Sequence, residues 1–124
     1  MGLLSGLMGN ASEVDPKDAE QEFDRILVRG EKVRRAFQLI RDGFIFTDKR
    51  LILVDKQGMT GNKVEYQSIP WKNIVRFAVE SSGTFDLDAE LKIWVRGASE
   101  PIKRQFNKKI DIYEVQQFLA THVL

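Results

Sequence analysis

Residues 44–58 read FIFTDKRLILVDKQG, from Phe44 to Gly58. Two short apolar strands, Phe44–Thr47 and Leu51–Val54, flank Asp48-Lys49-Arg50, which reads as a hairpin turn. Aromatic and branched side chains suit a packed, pleated surface, and a polar trio between two such runs marks the reversal. A second turn follows at Gln57-Gly58. Downstream the pattern repeats, with antiparallel strands meandering until a final helix begins near Asp111.

Upstream of the hairpin, Lys32 to Ile40 fits two periods. Val33, Phe37 and Ile40 suit a helix, whereas Val33, Arg35, Phe37 and Leu39 share one face of a strand. The strand is preferred because it continues through Gly43 into Phe44–Thr47. Earlier still, Asp15-Pro16 starts a helix predicted over Pro16–Leu27. Asp15 is the N-cap, Pro16 takes the first helical position, and Asp18, Glu20 and Glu22 complement the helix dipole. Phe23, Ile26 and Leu27 form its apolar stripe, and Gly30 ends the run. At the start of the chain Leu3, Leu4, Leu7 and Met8 recur at helical spacing, so Gly2 to Met8 reads as a short apolar turn that must dock on something.

Beyond Gly58 the loop Gly58-Met59-Thr60-Gly61-Asn62 leads into a strand over Lys63–Ile69, which Pro70 breaks. Trp71–Ser81 places Val75, Phe77 and Val79 opposite Arg76, Ala78 and Glu80. After the Ser82-Gly83-Thr84 turn comes the cleanest alternation in the chain. Leu87, Ala89, Leu91, Ile93 and Val95 face the core, while Asp88, Glu90, Lys92, Trp94 and Arg96 face outward. Ile102–Phe106 is the last strand, and Asp111 caps a helix through His122 with a stripe of Ile112, Val115, Phe118 and Leu119.

The chain is 124 residues long with a net charge of +1 and no cysteine. That length closes one core without staples, and the balanced charge lacks the basic excess of a nucleic-acid module. Without cysteine there is no disulfide framework and no thiolate metal site. No run reaches the ~18 apolar residues of a membrane span. The first ten residues lack the basic and sustained apolar regions of a signal peptide, so a cytoplasmic location is expected.

Chemistry-bearing motifs are weak. His122 is the only histidine, with no orienting carboxylate near it in sequence. Gly58 to Lys63 fails the phosphate-loop pattern in glycine spacing, in the residue after lysine and in the absence of a following helix. Asp86, Asp88 and Glu90 lie along a strand rather than on a glycine turn, which argues for a solvated face over a calcium loop. Lys103, Arg104, Lys108 and Lys109, with Lys32, Arg34, Arg35 and Arg41, are candidates for a basic patch, and scattered cations on a neutral protein are more often solubilising. Trp94 stands out, because alternation exposes it between Lys92 and Arg96. A tryptophan on a polar face marks an interface or a docked segment, the alternative being a cation–π sandwich with those neighbours.

Several blocks together resemble one family. GNASEV at Gly9–Val14, FTDKRLILVDKQG at Phe46–Gly58, KVEYQSIPW at Lys63–Trp71, FDLDAELKIWV at Phe85–Val95 and DIYEVQQFLATHVL at Asp111–Leu124 are similar to the bacterial pleckstrin-homology (PH) domain family. The resemblance implies a mainly β, PH-like split barrel of seven antiparallel strands in two near-orthogonal sheets, with a C-terminal α-helix and preceding N-terminal helical segments. On that reading, residues 1–30 are an N-terminal helical extension and residues 31–124 the PH-like domain. It also implies a bacterial module without assigned chemistry that assembles into cyclic homo-oligomers, expected as pentameric rings; the function expected here is a non-catalytic domain, without cofactor, that binds or scaffolds an unidentified protein partner. A phosphoinositide site does not carry over, because the first inter-strand connection, Arg41-Asp42-Gly43, is too short and too mixed in charge. The interface candidates are Leu3, Leu4, Leu7, Met8 and Trp94. The rival expectation is a peripheral membrane domain using the N-terminal apolar segment and basic surface residues.

Overall fold

A computed structural model describes residues 12–39, 42–57, 63–81 and 88–124. The chain divides into two units, Met1–Ser68 and Ile69–Leu124. In order, the elements are β1 (Ser12–Val14), α1 (Pro16–Glu22), β2 (Val33–Gln38), β3 (Asp42–Thr47), β4 (Arg50–Gln57), β5 (Lys63–Pro70), a 3-10 turn (Trp71–Asn73), β6 (Ile74–Glu80), β7 (Ala89–Val95), β8 (Ile102–Phe106) and α2 (Ile112–Val123). The fold is mainly β, with a five-stranded sheet ordered β1-β2-β3-β4-β5, a three-stranded sheet ordered β6-β7-β8, and a C-terminal helix.

The hairpin that decides the fold forms as read, with Ile45 opposite Ile52 and Phe44 opposite Leu53. Its two faces are both buried, which is why its strands are almost continuously apolar instead of alternating. On one face Val33, Ala36, Ile45, Ile52 and Val54 pack with Ala19 of α1 and with Phe23. On the other, the rings of Phe37 and Phe44 each meet Phe46 edge-on, at 5.8 and 5.2 Å between centroids. The turn owes its shape to Thr47, whose Oγ1 accepts the N–H groups of Lys49 and Arg50 at 3.0 Å each.

Three sequence expectations change here. The first helix stops at Glu22, short of Leu27, because the chain turns at Phe23 and drops that ring into the core. Asp15 caps it as expected, accepting the Lys17 N–H at 2.9 Å. The Gly9–Val14 block contributes an eighth strand, β1, paired with β2 from Ser12 opposite Gln38 to Val14 opposite Ala36. Three residues are too few to show a period, which is why alternation did not reveal it. Asp42 and Gly43 belong to β3 instead of to the connection before it, with Gly43 paired to both Gln38 and Val54.

In the second unit, the strand expected over Trp71–Ser81 begins as a 3-10 turn, and β6 itself starts at Ile74. A register shift between Ile74 and Arg76 then turns Val75 outward, leaving it 54% exposed. The expected grouping of Val75 with Phe77 and Val79 therefore fails at its first member. In β7 the alternation holds, with Leu91 and Ile93 buried. Gly97 sits at φ +85° in the turn towards β8, a conformation that favours glycine. Asp111 caps α2 by accepting the Tyr113 N–H at 3.0 Å, and Ile112, Val115 and Leu119 are its buried stripe.

Candidate functional site

Among the described residues, polar side chains converge at two places, one in each unit. The first was invisible as a motif. After Val28 the chain reverses through Gly30 at φ +84°, which carries Glu31 inward until its carboxylate is fully buried. There Glu31 receives Arg50 Nε on Oε2 and Arg50 Nη2 on Oε1, both at 2.9 Å. Thr47 Oγ1 donates to it at 2.6 Å and the Val28 N–H at 3.1 Å. Arg50 also donates to the Ile26 carbonyl at 2.6 Å and to Ser68 Oγ at 2.8 Å. Burial pushes the Glu31 carboxyl up, but the hydrogen bonds from Arg50, Thr47 and Val28 and the Arg50 charge outweigh it. The net result lies below the ordinary value. With every oxygen engaged by donors, this carboxylate ties the 26–31 turn to the hairpin and is not offered to a substrate.

The second convergence is the outer face of the three-stranded sheet. Register brings Arg76 opposite Trp94, and the guanidinium lies 3.9 Å above the indole centroid. Trp94 is thus half-buried on a polar face, and its cation comes from across the sheet, not from its sequence neighbours Lys92 and Arg96. Lys92 reaches Glu80 at 3.4 Å and Glu90 at 4.0 Å, and Arg96 donates to the Lys72 carbonyl at 3.4 Å. At one end of this face, Glu80, Ser81, Asp88, Ala89, Glu90 and Gln105 line an open groove of about 510 Å³. Gln105 Nε2 donates to Asp88 Oδ2 there at 3.1 Å.

The other sequence candidates fall as follows. Leu3, Leu4, Leu7 and Met8 lie outside the described residues, as do Arg41, Asp86 and the 58–62 loop. Trp94 is the one interface candidate whose surroundings are described. His122 stacks on Phe118 at 4.1 Å and beside Trp71 at 5.2 Å, with Nδ1 3.1 Å from the Phe118 carbonyl oxygen, so its ring helps close α2 over Trp71. Asp88 and Glu90 hold Gln105 and Lys92, and no metal-binding group of His, Cys, Asp or Glu occurs among the described residues. Two of the cations weighed for a basic patch have their surroundings described. Arg35 is held by both oxygens of Glu13 at 2.9 Å, and Arg104 shares the buried face of the sheet, opposite Leu91.

Comparison with known proteins adds four findings. Residues 2–123 match the family model described as the bacterial PH domain. The Bacillus subtilis protein YjqA is 56% identical over 97% of this chain and 97% of its own length. The crystal structure of a DUF1696-family protein with a pleckstrin-homology domain, from Shewanella loihica, is similar with a TM-score of 0.84 and 46% identity. That match covers 94% of this chain and 99% of the other. The pleckstrin-homology domain crystallised from Shewanella amazonensis has a TM-score of 0.78 and 50% identity, covering 99% of both chains. No described helix is long and apolar enough to cross a membrane.

Proposed function

This chain belongs to the bacterial PH domain family, and on that premise we propose that it is a non-catalytic module that assembles with itself and serves as a binding or scaffolding domain for another protein. One observation carries the reading. Trp94 lies half-buried on the outer face of the β6-β7-β8 sheet, on its middle strand, under a guanidinium from β6, which among the described residues is an edge of that sheet. Open strand edges offer N–H and C=O groups to a second chain, and a tryptophan beside one supplies the area that backbone pairing lacks. A head-to-tail contact of this kind closes into a ring when its rotation permits. Five subunits is the number the family resemblance suggests.

Two structural roles support the non-catalytic part. The buried Glu31 carboxylate is saturated by Arg50, Thr47 and Val28, and His122 is committed to a ring stack and a carbonyl. These are the groups that acid–base chemistry would first recruit. A cytoplasmic setting accords with the absence of cysteine. Light scattering coupled to size exclusion tests the proposal: a discrete oligomer supports it, and a 14.3 kDa monomer at every accessible concentration overturns it.

A further inference from the structure

The outer face of the three-stranded sheet breaks the pairing rule that charges obey on exposed sheets. Glu80 stands directly opposite Glu90, and Lys92 directly opposite Lys103. Like charges placed so are destabilising, and exchanging one residue of each pair would remove both penalties. Instead the charges are sorted into rows. Asp88, Glu80 and Glu90 occupy one end, then come Lys92 and Lys103, then Arg76 over Trp94. Within one copy the sorting is poorly compensated. Lys92 serves two carboxylates at 3.4 and 4.0 Å, while Lys103 is exposed and makes no ion pair among the described residues.

We propose that this face pairs with the same face of a second copy. The two-fold axis lies between the faces and runs across the strands, so the Lys92–Lys103 row of each copy sits over the Glu80–Glu90 row of the other. The pattern selects this arrangement: an axis running along the strands would set acid on acid and base on base. A self-complementary patch is also what an isologous contact requires. The face is small. Three strands about 4.8 Å apart and some seven residues at about 3.4 Å give on the order of 350 Å² a side. A standard interface takes about 800 Å² a side. One such contact is therefore weak and salt-sensitive, and it persists where several copies already joined edge to edge present it together. The inference thus rests on the self-assembly reading for its strength, but its contact is the charged face and not the strand edge.

Sedimentation of the full chain at low and at high salt tests it. The wild-type protein is expected to double in mass when salt is lowered. Glu80→Lys with Glu90→Lys, and separately Lys92→Glu with Lys103→Glu, are each expected to remain at the undoubled mass. An equimolar mixture of the two variants should regain the doubled species, which no merely structural role would produce. Circular dichroism checks their folds, and the single changes Glu90→Lys and Lys92→Glu replace a double variant that fails to fold. Doubling of a monomer that follows the same charge logic upholds the face contact and removes the larger assembly. A discrete oligomer that never doubles, variants that double alone, or a mixture that stays undoubled overturns the proposal.

Discussion

Arg50 and Glu31 form a two-pronged ion pair in which both carboxylate oxygens sit 2.9 Å from the guanidinium and the carboxylate is closed to solvent. The pair joins the start of β4 to a turn nineteen residues earlier. Its remaining arms reach Ile26 and Ser68, so one side chain fixes three stretches of the first unit. Such a pair adds little over a well-packed apolar replacement, but breaking it leaves a buried charge unanswered.

Arg50→Ala is therefore expected to destabilise the protein by about 3–5 kcal/mol, the range for orphaning one member of a buried pair. Glu31→Gln should cost less, because an amide still accepts from Thr47 or Val28 and Arg50 is partly exposed. Urea unfolding followed by tryptophan fluorescence gives both values, as a lower midpoint at unchanged slope. Equal stabilities for Arg50→Ala and wild type would show that the clasp is ornamental.

The same pair fixes a pH dependence. Glu31 has its carboxyl held below the ordinary 4.5, so the folded state binds its proton less readily than the unfolded chain does. A depressed carboxyl contributes stability that is present above its unfolded value and is lost as pH falls through the folded one. The stability gap between wild type and Glu31→Gln should thus be level above about pH 5 and shrink steadily below 4.5. A gap that widens on acidification would reverse the sign of the argument.

Little of this clasp was legible beforehand, whereas the hairpin that carries it was. Phe44–Thr47 and Leu51–Val54 announce themselves because both faces of the sheet are buried and the apolar run is unbroken. Glu31 looked like one more charge after Gly30, since burial of an acid is decided by a partner nineteen residues away and not by period. Ser12–Val14 was too short to alternate, and Val75 turned outward through a register shift that no spacing encodes. Trp94 was placed on the correct face by alternation, but its cation came from Arg76 on the neighbouring strand, which only register can reveal.

Asp111 offers a local test of helix capping. Its Oδ1 accepts the Tyr113 N–H at 3.0 Å at the start of a twelve-residue helix, one of the donors that no helical carbonyl can reach. Asp111→Ala should cost about 1 kcal/mol, and Asp111→Ser should recover most of it. Thermal unfolding of the three proteins separates the cap from a packing role, because Asp111 is exposed.

The connection between β2 and β3 bears on phosphoinositides. Asp42 belongs to β3 and its carbonyl accepts the Leu39 N–H at 2.8 Å, so the two residues that flank the connection are already paired. A polyphosphate needs several cations to displace water, and the sequence of this connection supplies one, Arg41, next to the Asp42 carboxylate. Soluble inositol phosphates should leave the amide signals of Leu39, Asp42 and Gly43 unmoved. Saturable shifts there that vanish in Arg41→Ala would defeat the expectation.

Trp94 and Arg76 separate stability from assembly. At 3.9 Å the guanidinium and indole form a cation–π contact worth about 0.5–1 kcal/mol at an exposed site. Arg76→Ala should lower stability by that amount. Trp94→Lys should lower it further, since it removes the ring and sets a second cation under Arg76. Trp94→Phe keeps a face for the guanidinium and should fall between wild type and Trp94→Lys. If Trp94 supplies contact area beside the β6 edge, assembly follows a different order. Light scattering should show Trp94→Phe retaining the oligomer, Trp94→Lys losing most of it, and Arg76→Ala retaining it because the indole is then more exposed. An oligomer that weakens in strict proportion to subunit stability would make Trp94 a packing residue. One that survives Trp94→Lys intact would place the contact on another surface of the chain.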